Sequence, residues 1–125
     1  MFLRRRHLTN IANYFQYTFK WNKINTLIYK RALKYIDSAE NIIQETNEND
    51  SIKIKNYFKI ANRYFMVLEY EKYKEKTKEI LKISESNNDS LNIAKAEYYL
   101  GDYYFSTSKN DSAYYYYLAA EKKYK

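Results

Sequence analysis

Between residues 90 and 106 the chain sets Ile93, Ala96, Leu100 and Tyr104 three or four positions apart, and Ile54, Tyr57, Ile60, Ala61, Tyr64 and Phe65 recur likewise between 51 and 66. A period of 3.6 residues puts such positions on one face of an α-helix, so the spacing predicts helices over both segments. Nearer the start, Leu8, Ile11, Ala12, Phe15 and Phe19 form one apolar stripe, and Tyr14, Tyr17 and Trp21 form another. Two stripes predict a helix covered on two sides, as in a stacked array. The triplet Asn-Asp-Ser occurs at 49–51, 88–90 and 110–112, each time ahead of an apolar-periodic run. Asp and Ser accept hydrogen bonds from the free N–H groups of a first helical turn, so the triplets mark three helix starts, and Asn25-Thr26 marks a fourth. The triplet also fits a glycosylation sequon; with no secretory pattern in "MFLRRRHLTN", capping is the reading adopted.

Shifting the chain by 40 residues lays Ile60-Ala61 on Leu100-Gly101, Tyr64-Phe65 on Tyr104-Phe105, and Asn62 on Asp102. This is an internal repeat, each unit a pair of helices. The expectation is one all-α domain over 1–125, an α-solenoid of about three antiparallel hairpins at approximately 8–46, 51–86 and 90–125. The connection "SESNNDS" at 84–90 is expected to hold the repeat's extra length.

Composition narrows the alternatives. One Gly and no Pro suit long helices and not a many-turned sandwich or barrel. No Cys removes disulfides, thiolate metal sites and cysteine nucleophiles, and is compatible with a cytoplasmic location. Lys, Asn, Ile, Tyr and Phe are the residues AT-rich codons specify, so the positions of the 17 tyrosines carry more meaning than their number. The net charge of +7 is uneven: residues 1–36 hold eight Lys/Arg (Arg4, Arg5, Arg6, Lys20, Lys23, Lys30, Arg31, Lys34) and no acid. That asymmetry leaves two readings open, a solvated helical face or an anionic partner such as nucleic acid or a membrane surface. No stretch reaches the roughly 20 apolar residues of a membrane span.

At "YYLGDYYFSTSKNDSAYYYYLAAEKKYK" the chain resembles the tetratricopeptide repeat family. Leu100-Gly101 is similar to that family's large-small pair and Tyr104 to its aromatic. Ala113, Tyr117 and Ala120 are similar to the small, aromatic and small positions of its second helix. Close approach of two helices is the physical reason: Gly101 and Ala113 admit the neighbouring backbone, and Tyr104 and Tyr117 fill the adjoining space. The second unit matches through Ile60, Ala61 and Tyr64, then departs with Tyr73, Thr77 and Ile80, which predicts a splayed hairpin. The first matches only through Ala32, Ile36 and Ala39. The long unit also resembles the helical sensory regions of bacterial transcription regulators and histidine kinases, by analogy alone.

What the resemblance implies is a right-handed superhelix whose first helices line a groove for a protein or peptide partner. The groove would present Lys55, Phe58, Asn62, Phe65 and Met66, then Lys95, Tyr98, Asp102 and Phe105. The family's Lys–Asn carboxylate clamp does not carry over, because Phe58 stands four residues before Asn62. Some of these aromatics are equally expected to pack against a neighbouring unit.

Catalytic chemistry finds little to work with. His7 stands alone in a basic leader, so no His relay or zinc set can be assembled. "STSK" at 106–109 fits a Ser-x-x-Lys motif but falls in an expected turn without its partner motifs. Glu69, Glu71, Glu75 and Glu79, interleaved with Lys72, Lys74, Lys76 and Lys78, read as a solvated helix face. The expectation is a non-enzymatic interaction module without cofactor or metal. The last hairpin is expected to leave Tyr103, Tyr114 or Tyr115 uncovered, to be met by self-association or by further repeats of a longer protein.

Overall fold

A computed structural model describes the backbone of residues 2–124 and the side chains of residues 23–124. It contains five helices, α1 (Phe2–Glu45), α2 (Asp50–Met66), α3 (Tyr70–Ser86), α4 (Ser90–Ser106) and α5 (Asn110–Tyr124), and no strand among the described residues. The chain divides into two units, residues 1–34 and residues 35–125.

The first unit is helical from Phe2 onward, and no helix starts at Asn25-Thr26. The hairpin expected over 8–46 is therefore replaced by one 44-residue helix. A cap can start a helix only where the previous one stops. Nothing between Lys20 and Ala32 stops one, since the segment holds neither Gly nor Pro. The stripes expected at Leu8–Phe19 and Tyr14–Trp21, and His7 with its leader, fall on side chains outside those described.

The second unit repeats one backbone plan. Residues 67–69, 87–89 and 107–109 connect successive helices in three residues each. The middle residue of each turn is left-handed: φ is 64° at Leu68, 53° at Asn88 and 63° at Ser108. The last N–H of each turn reaches back five residues, Glu69 to Tyr64 O at 2.9 Å, Asp89 to Ser84 O at 2.9 Å and Lys109 to Tyr104 O at 2.8 Å. The same helix-ending motif is thus used three times, capping the otherwise free carbonyls. Helices of 17 residues alternating with three-residue turns give a step of 20 and a hairpin repeat of 40. The added length consequently lies in the helices and not in "SESNNDS". Ser84, Glu85 and Ser86 remain helical, and the Ser86 hydroxyl bonds back to Lys82 O at 3.0 Å, the local bond that lets serine stay in a helix.

Two of the three triplets cap, through different members, while the third, Asn110-Asp111-Ser112, forms the first turn of α5 itself. Asn49 accepts from Ile52 N at 2.9 Å, and Asp89 accepts from Asn92 N at 3.2 Å. Helix α3 starts behind Glu69 with no side-chain cap.

Helices α2 and α3, α3 and α4, and α4 and α5 pack as neighbours. Ile54, Tyr57 and Phe58 of α2 meet Ile80 of α3 and Ala96 of α4 in one cluster, with Ile43, Leu81, Ile83 and Tyr99 against it. Tyr73, Thr77 and Ile80, expected to splay the second hairpin, are all buried, so α3 is closed onto its neighbours. Ile36, near the end of α1, is buried, while Ala32 and Ala39 are half-buried.

Candidate recognition surface

Two lines of side chains from α2 and α4 converge. On α2, Lys55, Asn62 and Met66 lie on one stripe and are exposed; on α4, Lys95, Tyr98 and Phe105 do the same. The stripes join at Phe58. This residue does not line a groove, because it is 4% exposed: its ring stands edge-on to Tyr99 with centroids 5.0 Å apart, and Lys95 Nζ lies 4.3 Å above it. Phe65 is half-buried, its ring 5.4 Å from Tyr70 and 4.9 Å from Tyr73. Of the nine residues expected to form the groove, Phe58 and Phe65 thus belong to helix contacts.

Asp102 is half-buried and accepts a 2.6 Å bond from the Tyr117 hydroxyl, and Tyr98 packs on the same ring at 5.1 Å. Burial raises the Asp102 carboxyl above its ordinary range, more than the Tyr117 bond lowers it. The repeat positions behave as close contacts. Ala61, Tyr64, Leu100, Gly101, Ala113 and Ala120 are buried, and a Cβ on Gly101 would meet ring carbons of Tyr117 at 2.5 Å. Tyr104 is half-buried and stacks on Tyr116 at 5.4 Å.

Tyr103 departs from expectation. It is buried, its hydroxyl donating to Glu71 of α3 and Lys74 Nζ lying 4.9 Å from its ring. Tyr114 and Tyr115 remain 68% and 67% exposed, as expected.

A second, polar feature has no counterpart in the sequence reading. Asp37 and Glu40 from α1, Tyr64 from α2, and Lys72, Glu75, Lys76 and Glu79 from α3 line a cleft of about 120 Å³. Lys76, expected on a solvated face, is 2% exposed. Its ammonium is 2.5 Å from Glu40, 3.1 Å from Glu79 and 4.2 Å above the Tyr57 ring. Burial alone would lower the Lys76 pKa, but hydrogen bonds to the two carboxylates outweigh it and raise it. Burial likewise works to raise Glu40, and bonds from Lys76 and Tyr64 hold it below its ordinary value instead. The Tyr64 hydroxyl lies 2.7 Å from Asp37 and 2.6 Å from Glu40; with one proton it donates to one carboxylate at a time. Burial and the facing carboxylates push this phenol up. The arrangement ties α1 to the following hairpin. A signal for it did exist: Lys76 sits three residues after Tyr73 and four before Ile80, on the buried line of α3.

No family model matches the chain, and neither a curated protein nor a solved structure shows significant similarity to it.

Proposed function

We propose that the chain is a non-catalytic interaction module of the tetratricopeptide type, acting in the cytoplasm and gripping a protein or peptide along the α2 and α4 stripes. As part of a larger assembly it would serve as a scaffold or as the sensory part of a bacterial signalling regulator. The observation that supports this reading most is the adjacency of the two stripes. Lys95 over Phe58 fastens one to the other, leaving Met66, Tyr98 and Phe105 at 70%, 49% and 65% exposure beside Lys55 and Asn62. Exposed aromatics flanked by mixed polar groups supply contact area at small entropic expense and dominate peptide recognition. The Asp102–Tyr117–Tyr98 contact holds one wall in place before any partner arrives, which lowers the cost of ordering it.

The test is selection of binding peptides from a displayed random library, followed by chemical-shift mapping on the labelled full chain. The expected result is that perturbations centre on residues 55–66 and 95–105. Tyr98→Ser with Phe105→Ser should weaken the selected peptides by at least about tenfold. Perturbations centred elsewhere, with unchanged affinity in the variant, would overturn the proposal.

A further inference from the structure

Residues 1–34 carry all eight bases of the acid-free segment, and the structure makes this stretch one helix from Phe2 onward. That continuity permits a single helical register. At about 100° per residue, Arg5, Lys20, Lys23, Lys30, Arg31 and Lys34 share an arc of about 100°. Tyr14, Tyr17, Trp21, Ile24 and Ile28 share an adjoining arc of about 80°. Arg4 and Arg6 fall outside the basic arc, and Leu27 stands within it. Where side chains are described, most of both arcs faces solvent: Lys23, Lys30 and Arg31 are exposed, and Ile24, Leu27 and Ile28 are 47%, 61% and 60% exposed. Ala32, in line with Tyr14 at the edge of the apolar arc, is half-buried, as are Tyr29 and Leu33 on the remaining arc.

We infer that this helix lies along an anionic lipid surface, its apolar arc entering the headgroup boundary and its bases meeting lipid phosphates and carboxylates. Charge complementarity selects the occupant. A second copy laid on the stripe would set base against base, since neither helix offers an acid in this segment. A nucleic acid would satisfy the bases but leave an aromatic and aliphatic row in water. An interfacial helix uses both, with Lys/Arg on one face and Trp, Tyr and aliphatic residues beside it. No described helix is long and apolar enough to cross a membrane, so the mode is lying on the surface and not spanning.

Trp21 is the only tryptophan in the chain and reports on this helix directly. The experiment mixes the full chain with vesicles of phosphatidylcholine alone or with roughly 30% phosphatidylserine, followed by co-sedimentation and tryptophan emission. The expected result is at least about tenfold preference for the anionic vesicles, a blue shift of Trp21, and steep weakening as salt rises. Lys23→Glu with Lys30→Glu and Arg31→Glu should abolish binding, while Ile24→Ser with Ile28→Ser should remove the blue shift and keep a residual salt-sensitive attraction. The salt titration on the unmodified chain decides the matter if a variant misfolds. Equal binding to both vesicles, no binding, capture of a 20-nucleotide RNA or DNA but not vesicles, or a dimer by light scattering that does not bind vesicles would each overturn it. Tyr98→Ser with Phe105→Ser should sediment like the parent chain, so this inference and the peptide-binding proposal fail independently.

Discussion

Set in register at 40 residues, the α2–α3 and α4–α5 hairpins share a backbone plan and distribute bulk differently. Gly101 answers to Ala61, Ala113 to Tyr73, and Tyr117 to Thr77. In α4–α5 the large ring is Tyr117, laid against the one glycine of the chain. In α2–α3 the large ring sits a turn earlier, at Tyr73, between Phe65 at 4.9 Å and Tyr99 at 5.6 Å. Thr77 then takes the later position, and its buried hydroxyl is satisfied by a 2.7 Å bond to Tyr73 O. Each hairpin thus puts one tyrosine ring at one of these two α3/α5 positions and a small residue at the other. Close-packed interiors constrain the volume at a contact more tightly than the position from which it comes.

The largest test of that comparison removes the rings. Tyr73→Ala empties a site that is 2% exposed and should cost about 3–5 kcal/mol in urea-induced unfolding. Tyr114→Ala, on the last helix, removes a ring that is 68% exposed and should change stability by no more than about 0.5 kcal/mol. Equal costs at the two positions would mean that α3 is not closed between its neighbours as described.

The second test concerns the glycine. Gly101→Ala places a Cβ 2.5 Å from Tyr117 ring carbons and should destabilise by about 1–3 kcal/mol, although alanine is the better helix former. In a Tyr117→Ala background the obstacle is gone, and the same substitution should stabilise by up to about 1 kcal/mol. A sign that does not reverse in this double-mutant cycle would refute the account of why the two hairpins differ.

The contrast also marks what the residue pattern reveals. Helices α2, α4 and α5, the caps of α2 and α4 and the 40-residue register follow from local spacing, because each depends on residues close in the chain. The unbroken α1 is not legible from the Asn25-Thr26 pair, because a capping pair starts a helix only where something ends the one ahead of it. The burial of Lys76 and Tyr103 is illegible for another reason. Lys76 pairs with Glu40, 36 residues earlier, and the Tyr103 hydroxyl donates to Glu71, 32 residues earlier. Helical periodicity shows which face is apolar; it does not show which distant acid a lysine or a tyrosine hydroxyl meets. Phe58 lay on a correctly read helix but went to the α2–α4 junction, which depends on how closely successive hairpins stack.

The smallest test compares the turns, where one backbone motif carries three different residues. Leu68, Asn88 and Ser108 all hold φ between 53° and 64°. For most L-residues this conformation costs about 1–2 kcal/mol, and Asn tolerates it best of the three because its short polar side chain can bond locally. Leu68 is 69% exposed, so its side chain brings little burial in return. Leu68→Gly therefore relieves the strain, offset by the about 0.5–1 kcal/mol of extra chain entropy that glycine loses on folding. The expected net gain is about 0.5–1 kcal/mol at Leu68 and close to none at Asn88→Gly, read as shifts in the urea midpoint at constant slope. If both substitutions moved the midpoint equally, the left-handed backbone would not be what distinguishes these turns; the hydrogen bonds common to all three would then be what ends the helices.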